Sequence, residues 1–284
     1  MAGVEARVQN ITNSLIHNPL PVVGPNPEVI TYSDAKHLIF AGMYSPIVSF
    51  PLIANLLAGV GQGNGTLFAN LLRPYHKLTC PADDDPGWSI IGVLAPDATM
   101  AIACADGDDQ SSMTKSEYAE YWHDLAKLSP SIGPMWAMFR MYCIHYKTRP
   151  AYRFTAPFQA NTSHPILMIG NTYDPVTPLK NAFTMSKGYP GSVVLTQNST
   201  GHTSGSVYSS CTIGHIRKYF QTGELPEKGT VCEPDEMPFG SGKESEADGK
   251  GTDEVKKMYQ EGHLAMLRSM QGAPGMVPAG SFAL

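Results

Sequence analysis

From Pro165 onward the chain reads as strand, loop, helix, strand, loop, helix with short links, and no other feature of the sequence constrains the fold as strongly. "PILMIG" is an apolar run of buried-strand length, "PLKNAFTMSKG" has a helix start and a glycine stop, "SVVLTQ" is β-branched, and "VYSSCTIGHIRKYF" returns to helical spacing. Strands joined by crossover helices run parallel and are covered on both faces, so they read as continuous apolar runs instead of alternating ones. The expected fold class is therefore α/β with a parallel sheet. In such sheets functional groups sit in the loops leaving the carboxyl ends of the strands. One loop follows Gly170 and carries Asn171, Thr172, Tyr173 and Asp174; the next begins near Gln197 as "NSTGHTSG" and carries His202.

Adjacent strand ends bring these two loops together. An acid followed 28 residues later by a histidine matches the last two members of the hydrolase order Ser, Asp, His. In that chemistry the carboxylate fixes the imidazole tautomer and stabilises its protonated form, while the imidazole takes and returns the nucleophile's proton. A plainer account is also available, because an Asp before Pro-x-Thr-Pro is a good turn former or helix cap, and a His after Gly is a common loop residue. What raises Asp174 and His202 above that account is their equivalent placement in successive strand-loop-helix units.

The remainder of the chain has a different texture. Residues 1–150 read as mainly helical, with aromatic segments such as "SEYAEYWHDLAKL" and "GPMWAMFRMYCIHY" broken by the acidic turns "CPADDDPGW" and "CADGDDQSS", and without a convincing strand. The N-terminus lacks the apolar core of a signal peptide and reads as an amphipathic helix with Val4, Val8, Ile11 and Leu15 on one face. Leu38 to Gly61 is uncharged and long enough to span a bilayer. Pro46 and Pro51, each costing about 3 kcal/mol inside a helix, favour two short buried helices over a membrane span. "GVGQGNG" follows a helical run and not a strand, so it reads as a helix stop and not as a dinucleotide loop. Residues 241–284 are expected to form a polar, flexible tail with a short helix near Val255 to Met270.

Composition narrows the function classes. A net charge of -5 and no Lys/Arg run argue against a nucleic-acid partner. Cys80, Cys104, Cys143, Cys211 and Cys232 contain no C-x-x-C, and the chain has no H-E-x-x-H, so neither a metal nor another cofactor is expected. Cys211 and Cys232 bracket a helix and its turn; a bridge there would be worth about 3 kcal/mol on chain-entropy grounds, the alternative being two unpaired thiols. Sequons at Asn10, Asn64, Asn161 and Asn198 lean toward an oxidising compartment. The clusters Asp83, Asp84, Asp85 and Asp106, Asp108, Asp109 lack the spacing of a calcium loop and read as solvated turns.

"PILMIGNTYDPVTP", "GHTS" and "CTIGHIRKYFQTGELPEKGTVCEPDEMPF" resemble the C-terminal segment of the tripeptidyl aminopeptidase-like serine peptidases, relatives of prolyl aminopeptidases within the α/β-hydrolase fold. The resemblance runs from about Thr155 to Gly240, and "ITYSDAKHLIFAGMYSP", "AIACADG" and "MYCIHY" are more weakly similar to the family's helical cap. It implies a helical cap over residues 1–150, the C-terminal part of the parallel sheet over 151–240, and an extracellular or secretory setting. It further implies Asp174 and His202 as triad acid and base, bridges Cys104 to Cys143 and Cys211 to Cys232, and a peptide or small ester-like substrate. For an aminopeptidase, Asp106 would be a candidate to pair with the substrate's α-ammonium group.

The family's nucleophile requires G-x-S-x-G on a turn after a strand, and no serine of this sequence meets that requirement. Ser89 in "GWSIIG" comes nearest, with Gly87 two before it and Ile91 two after. The expectation is thus a chain that begins inside the cap and lacks the N-terminal half with its elbow and oxyanion loop. Two function classes follow: a serine hydrolase whose nucleophile lies elsewhere, for example in a separately encoded N-terminal half, or a catalytically inactive remnant that binds a partner.

Overall fold

The computed structural model describes residues 2–76 and 100–240. Ser89, Cys80, the Asp83–Asp85 cluster and the tail 241–284 with its expected helix lie outside the described residues.

Helix α1 (Ala2–His17) buries Leu15 and sets Val8 and Ile11 against the core, whereas Val4, expected on the same face, is exposed. Two three-residue strands follow, β1 (Leu20–Val22) and β2 (Glu28–Ile30), paired antiparallel with Leu20 opposite Ile30. They correct the expectation of a strandless N-terminal region: three residues are too few to display an alternating pattern. Thr31 and Asp34 form a reciprocal capping box that starts α2 (Tyr32–Gly42).

The long uncharged run divides into the end of α2 and all of α3 (Pro46–Gly61), and no helix among the described residues is long and apolar enough to cross a membrane. Pro46 occupies the first turn of α3, where a missing N–H costs nothing, but Pro51 lies inside the helix instead of ending it. The burial of Ile53, Leu56, Leu57 and Val60 beyond it offsets the lost hydrogen bond. Helix α4 (Thr66–His76) closes this part, seating Phe68 and Ala69 in a core shared with Ile30, Leu38 and Ile53.

A helix α5, described over 100–106, is joined to α7 (Gly133–Ile144) by the Cys104–Cys143 disulfide, and α7 packs against α6 (Lys115–Leu128). Arg149 donates to the carbonyls of Cys104 and Gly107 at the carboxyl end of α5, a cation placed where the helix dipole is negative.

The parallel sheet has the order β3-β4-β5, built from β3 (Leu167–Tyr173), β4 (Val193–Thr200) and β5 (Val231–Cys232). Helix α8 (Leu179–Ser186) links the first two strands and α9 (Ser210–Thr222) the last two. Both long strands run three residues past the ends their apolar runs suggest, through Tyr173 and Thr200. The extension of β3 carries Asn171, and Gln197 stands just before that of β4; both are polar yet fully buried, which is why hydrophobicity stops before the strand does. A second disulfide, Cys211–Cys232, ties α9 to β5, and Gly223 ends α9 in the left-handed conformation at φ 74°.

Candidate functional site

Asp174 and His202 meet where β3 and β4 end. His202 Nδ1 lies 3.1 Å from Asp174 Oδ1 and 3.2 Å from Oδ2, with the carboxylate buried and the imidazole partly exposed. In this geometry Nδ1–H donates to the carboxylate and the lone pair of Nε2 is left to accept a proton from elsewhere.

The carboxylate is saturated with donors. Oδ1 accepts from the Val176 and Thr177 N–H groups at 2.8 Å each, and Oδ2 accepts from the Thr177 hydroxyl and the Thr203 N–H at 2.9 Å each. Burial pushes the Asp174 carboxyl up, but the N–H groups of Thr203, Thr177 and Val176 and the Thr177 hydroxyl outweigh it. The group is held below the usual carboxylate range. It is therefore a fixed anion facing an imidazole. Its contacts to Val176 and Thr177 also make it the turn former of "DPVTP", so the structural and the electrostatic parts are played by the same oxygen atoms.

Two buried amides hold the histidine loop. Asn171 Nδ2 donates to Gly201 O at 3.0 Å and Thr203 O at 2.6 Å, and Gln197 Nε2 to Val207 O and Ser199 Oγ at 3.0 Å each. Gly201 adopts φ 99°, and a Cβ there would meet Ser206 Oγ at 2.5 Å and Pro46 Cδ at 2.6 Å, so only glycine fits. Thr203 also has a positive φ of 67°, unusual for a β-branched residue, and this conformation aims its N–H at Asp174.

The N-terminal helices complete one wall. Tyr44, between α2 and α3, accepts the His202 N–H on its carbonyl and stands edge-on to the imidazole with ring centroids 5.2 Å apart. Burial pushes the Tyr44 phenol up, and the charge of Asp174 adds to the effect. Sequence reasoning missed Tyr44, Asn171, Gln197 and Thr203. Of these, Asn171 carried a signal, as a polar residue directly after an apolar strand and before the acid.

Asp106 is not joined to this pair by any hydrogen bond or ion pair among the described residues. Its side chain is exposed at the end of α5, and its carbonyl accepts from Arg153. Asp108 pairs with Arg153 at 2.9 Å, as a solvated acidic turn would. Cys211 and Cys232, with no zinc-type spacing in sequence, lie together with His215, and none of the three takes part in the Asp174–His202 contact.

Residues 129–232 match the family model described as "TAP-like protein". This chain carries a TAP-like α/β-hydrolase domain. The domain takes in α7 and both ends of the Cys211–Cys232 bridge, and it includes Asp174, His202 and every strand of the parallel sheet. Compared with the resemblance in the sequence, which begins near Thr155, the TAP-like match starts earlier, within the helical region. No curated protein matches the chain.

Proposed function

We propose that the TAP-like domain supplies the acid and base of a serine hydrolase, an aminopeptidase that releases short peptides or single residues from free N-termini. The observation that carries this reading is the His202 Nδ1 contact to a carboxylate held anionic by surrounding donors, which leaves Nε2 as the proton acceptor. A carboxylate serving only as a turn cap has no need of the histidine, whereas a histidine serving as general base needs such a carboxylate to fix its tautomer. The attacking hydroxyl comes from a G-x-S-x-G elbow that this sequence does not contain.

In this reading residues 1–150 act as the cap and 151–240 as the C-terminal part of the core. Strand β3 is an edge of the parallel sheet among the described residues, which supports pairing with strands of an N-terminal half, either continuous with this chain or separately encoded. The two disulfides suit an extracellular setting. The substrate is a peptide or a small ester-like molecule bound between cap and strand ends.

The test is capture of the native protein from its source after treatment with a fluorophosphonate, followed by intact mass and peptide mapping. A phosphonylated serine outside residues 1–284, in a species heavier than 30.7 kDa or in a co-captured chain, supports the reading. A native 30.7 kDa species that takes no label sinks it in favour of a binding protein. That second reading draws on the exposed Trp122, Trp136, Tyr142, Phe154 and Phe158, apolar side chains of the kind partners cover.

A further inference from the structure

Cys211, His215 and Cys232 form a cluster that the proposed hydrolysis does not use. Cys211 and His215 lie one turn apart on α9 and so share a face, while Cys232 ends β5. One ligand atom from each lies within 4.8 Å of the others, with Cys232 fully buried and His215 half-buried. Strand β5 is pinned by its parallel pairing to β4, so the third ligand is presented by a fixed element.

As long as Cys211 and Cys232 are bridged, neither sulfur is a thiolate, and a cation would meet only the imidazole. We propose that opening this bridge converts the trio into a Cys2His site for Zn2+, with a water as fourth ligand. The balance is simple. A dithiol reductant gives two electrons and two protons to the bridge, becoming a disulfide itself and leaving Cys211 and Cys232 as thiols. The metal then displaces both thiol protons and bonds to the two sulfurs and one imidazole nitrogen.

Zn–S bonds of about 2.3 Å and Zn–N bonds of about 2.0 Å place tetrahedral donors roughly 3.5–3.8 Å apart. The imidazole nitrogen already lies within 4.8 Å of both sulfurs, whereas the bonded sulfurs are closer than this and must move apart once the bridge opens. With the Cα atoms of Cys211 and Cys232 5.5 Å apart, side-chain rotation can bring the sulfurs to that separation with α9 and β5 left in place. Soft thiolates with imidazole select zinc over calcium or magnesium, which prefer oxygen donors. Bridge and metal clamp the same two elements, so α9 stays fastened to the sheet edge in either redox state.

The experiment uses the full chain, reduced with a water-soluble phosphine that does not compete for zinc as a dithiol would, and titrated with Co2+. The expected result is thiolate-to-cobalt charge transfer with tetrahedral d–d absorption, saturating at one ion per chain and absent from the bridged protein. His215→Ala should weaken binding by more than about tenfold, since even the partners behind a ligand are worth 10–100-fold. A Cys104→Ser/Cys143→Ser variant should retain the signal, which excludes the other bridge as its source. Thermal melts of the reduced chain monitored by circular dichroism guard against loss of fold: Zn2+ should raise the midpoint of the wild type and not that of His215→Ala. The proposal is overturned by a reduced chain that gives no tetrahedral cobalt spectrum, or by His215→Ala binding with wild-type affinity.

Discussion

The α1–α4 region and the loops leaving β3 and β4 each enclose buried side chains, but of different kinds. Around Phe68, Ile30 and Leu56 the interior is apolar and any side chain of suitable volume contributes through area removed from water. Around Asp174 and His202 the buried groups are Asn171, Gln197 and Ser206, each aimed by hydrogen bonds at backbone carbonyls of the histidine loop, and the exposed Thr177 adds its hydroxyl to the carboxylate itself. The first kind of interior gives stability without fixing a particular atom. The second costs desolvation and returns position, holding the carboxylate and the imidazole nitrogen at hydrogen-bonding distance.

Mutations that separate stability from position test this contrast. Phe68→Ala, at a residue only 1% exposed, should lower the unfolding free energy by about 3–5 kcal/mol in denaturant titrations. The Nδ1 proton of His202, followed by NMR, should stay hydrogen-bonded in the folded fraction. Asn171→Ala should reverse the emphasis. It leaves the Gly201 carbonyl without its buried donor, while Thr203 O keeps those of Ser206, costing about 1–3 kcal/mol, and should loosen the His202 loop so that the Nδ1 proton exchanges freely. If both variants disturb His202 equally, the two interiors are one cooperative unit and the contrast fails.

Asp174 sharpens the same point through pH. Its carboxyl is depressed in the folded state, so its contribution to stability is present above the carboxyl's unfolded value and is lost as pH falls through the lower folded value. Unfolding free energies of wild type and Asp174→Asn should therefore differ by about 1–3 kcal/mol near neutrality and converge in acid. A difference that persisted in acid would mean that the asparagine disrupts packing and not charge-assisted hydrogen bonding.

The sequence made the α/β class visible because the parallel strands are apolar runs, and it brought Asp174 and His202 forward because their loops occupy equivalent places. It did not reveal how far those strands extend. Asn171 looks like a loop residue to any measure of hydrophobicity, Gln197 looks like the last residue of its strand, and only folded context shows the carbonyls they satisfy. Tyr44 was hidden for another reason: it comes from a distant segment, and nothing local to "GMYSPI" indicates that it will stand against a histidine. The β1–β2 pair escaped because its strands are shorter than one period of a readable pattern. Pro51 misled by its identity alone, since the cost of a proline in a helix is a local quantity and the burial that offsets it is not.

The smallest expected effect lies at the edge of the apolar region, where His76 bridges two carboxylates. Its Nδ1 lies 2.9 Å from Glu28 Oε1 and its Nε2 3.4 Å from Asp34 Oδ1, so both ring nitrogens face acceptors and only the imidazolium can donate to both. The hydrogen bond to Glu28 is the largest influence raising the imidazole's affinity for its proton, ahead of a smaller opposing effect of burial; Glu28 in turn is lowered, chiefly by that same bond. A raised histidine stabilises the fold fully below its unfolded value and loses that contribution as pH rises through the folded one. The bridge should therefore hold β2, α2 and α4 together in mildly acidic solution and loosen as the medium becomes alkaline. Because His76 is about a third exposed, the effect is screened and should not exceed about 1 kcal/mol. His76→Gln should be less stable than wild type below neutrality and match it at higher pH. A His76→Gln deficit that did not change with pH would assign the residue to packing, placing it with Phe68 and not with Asp174.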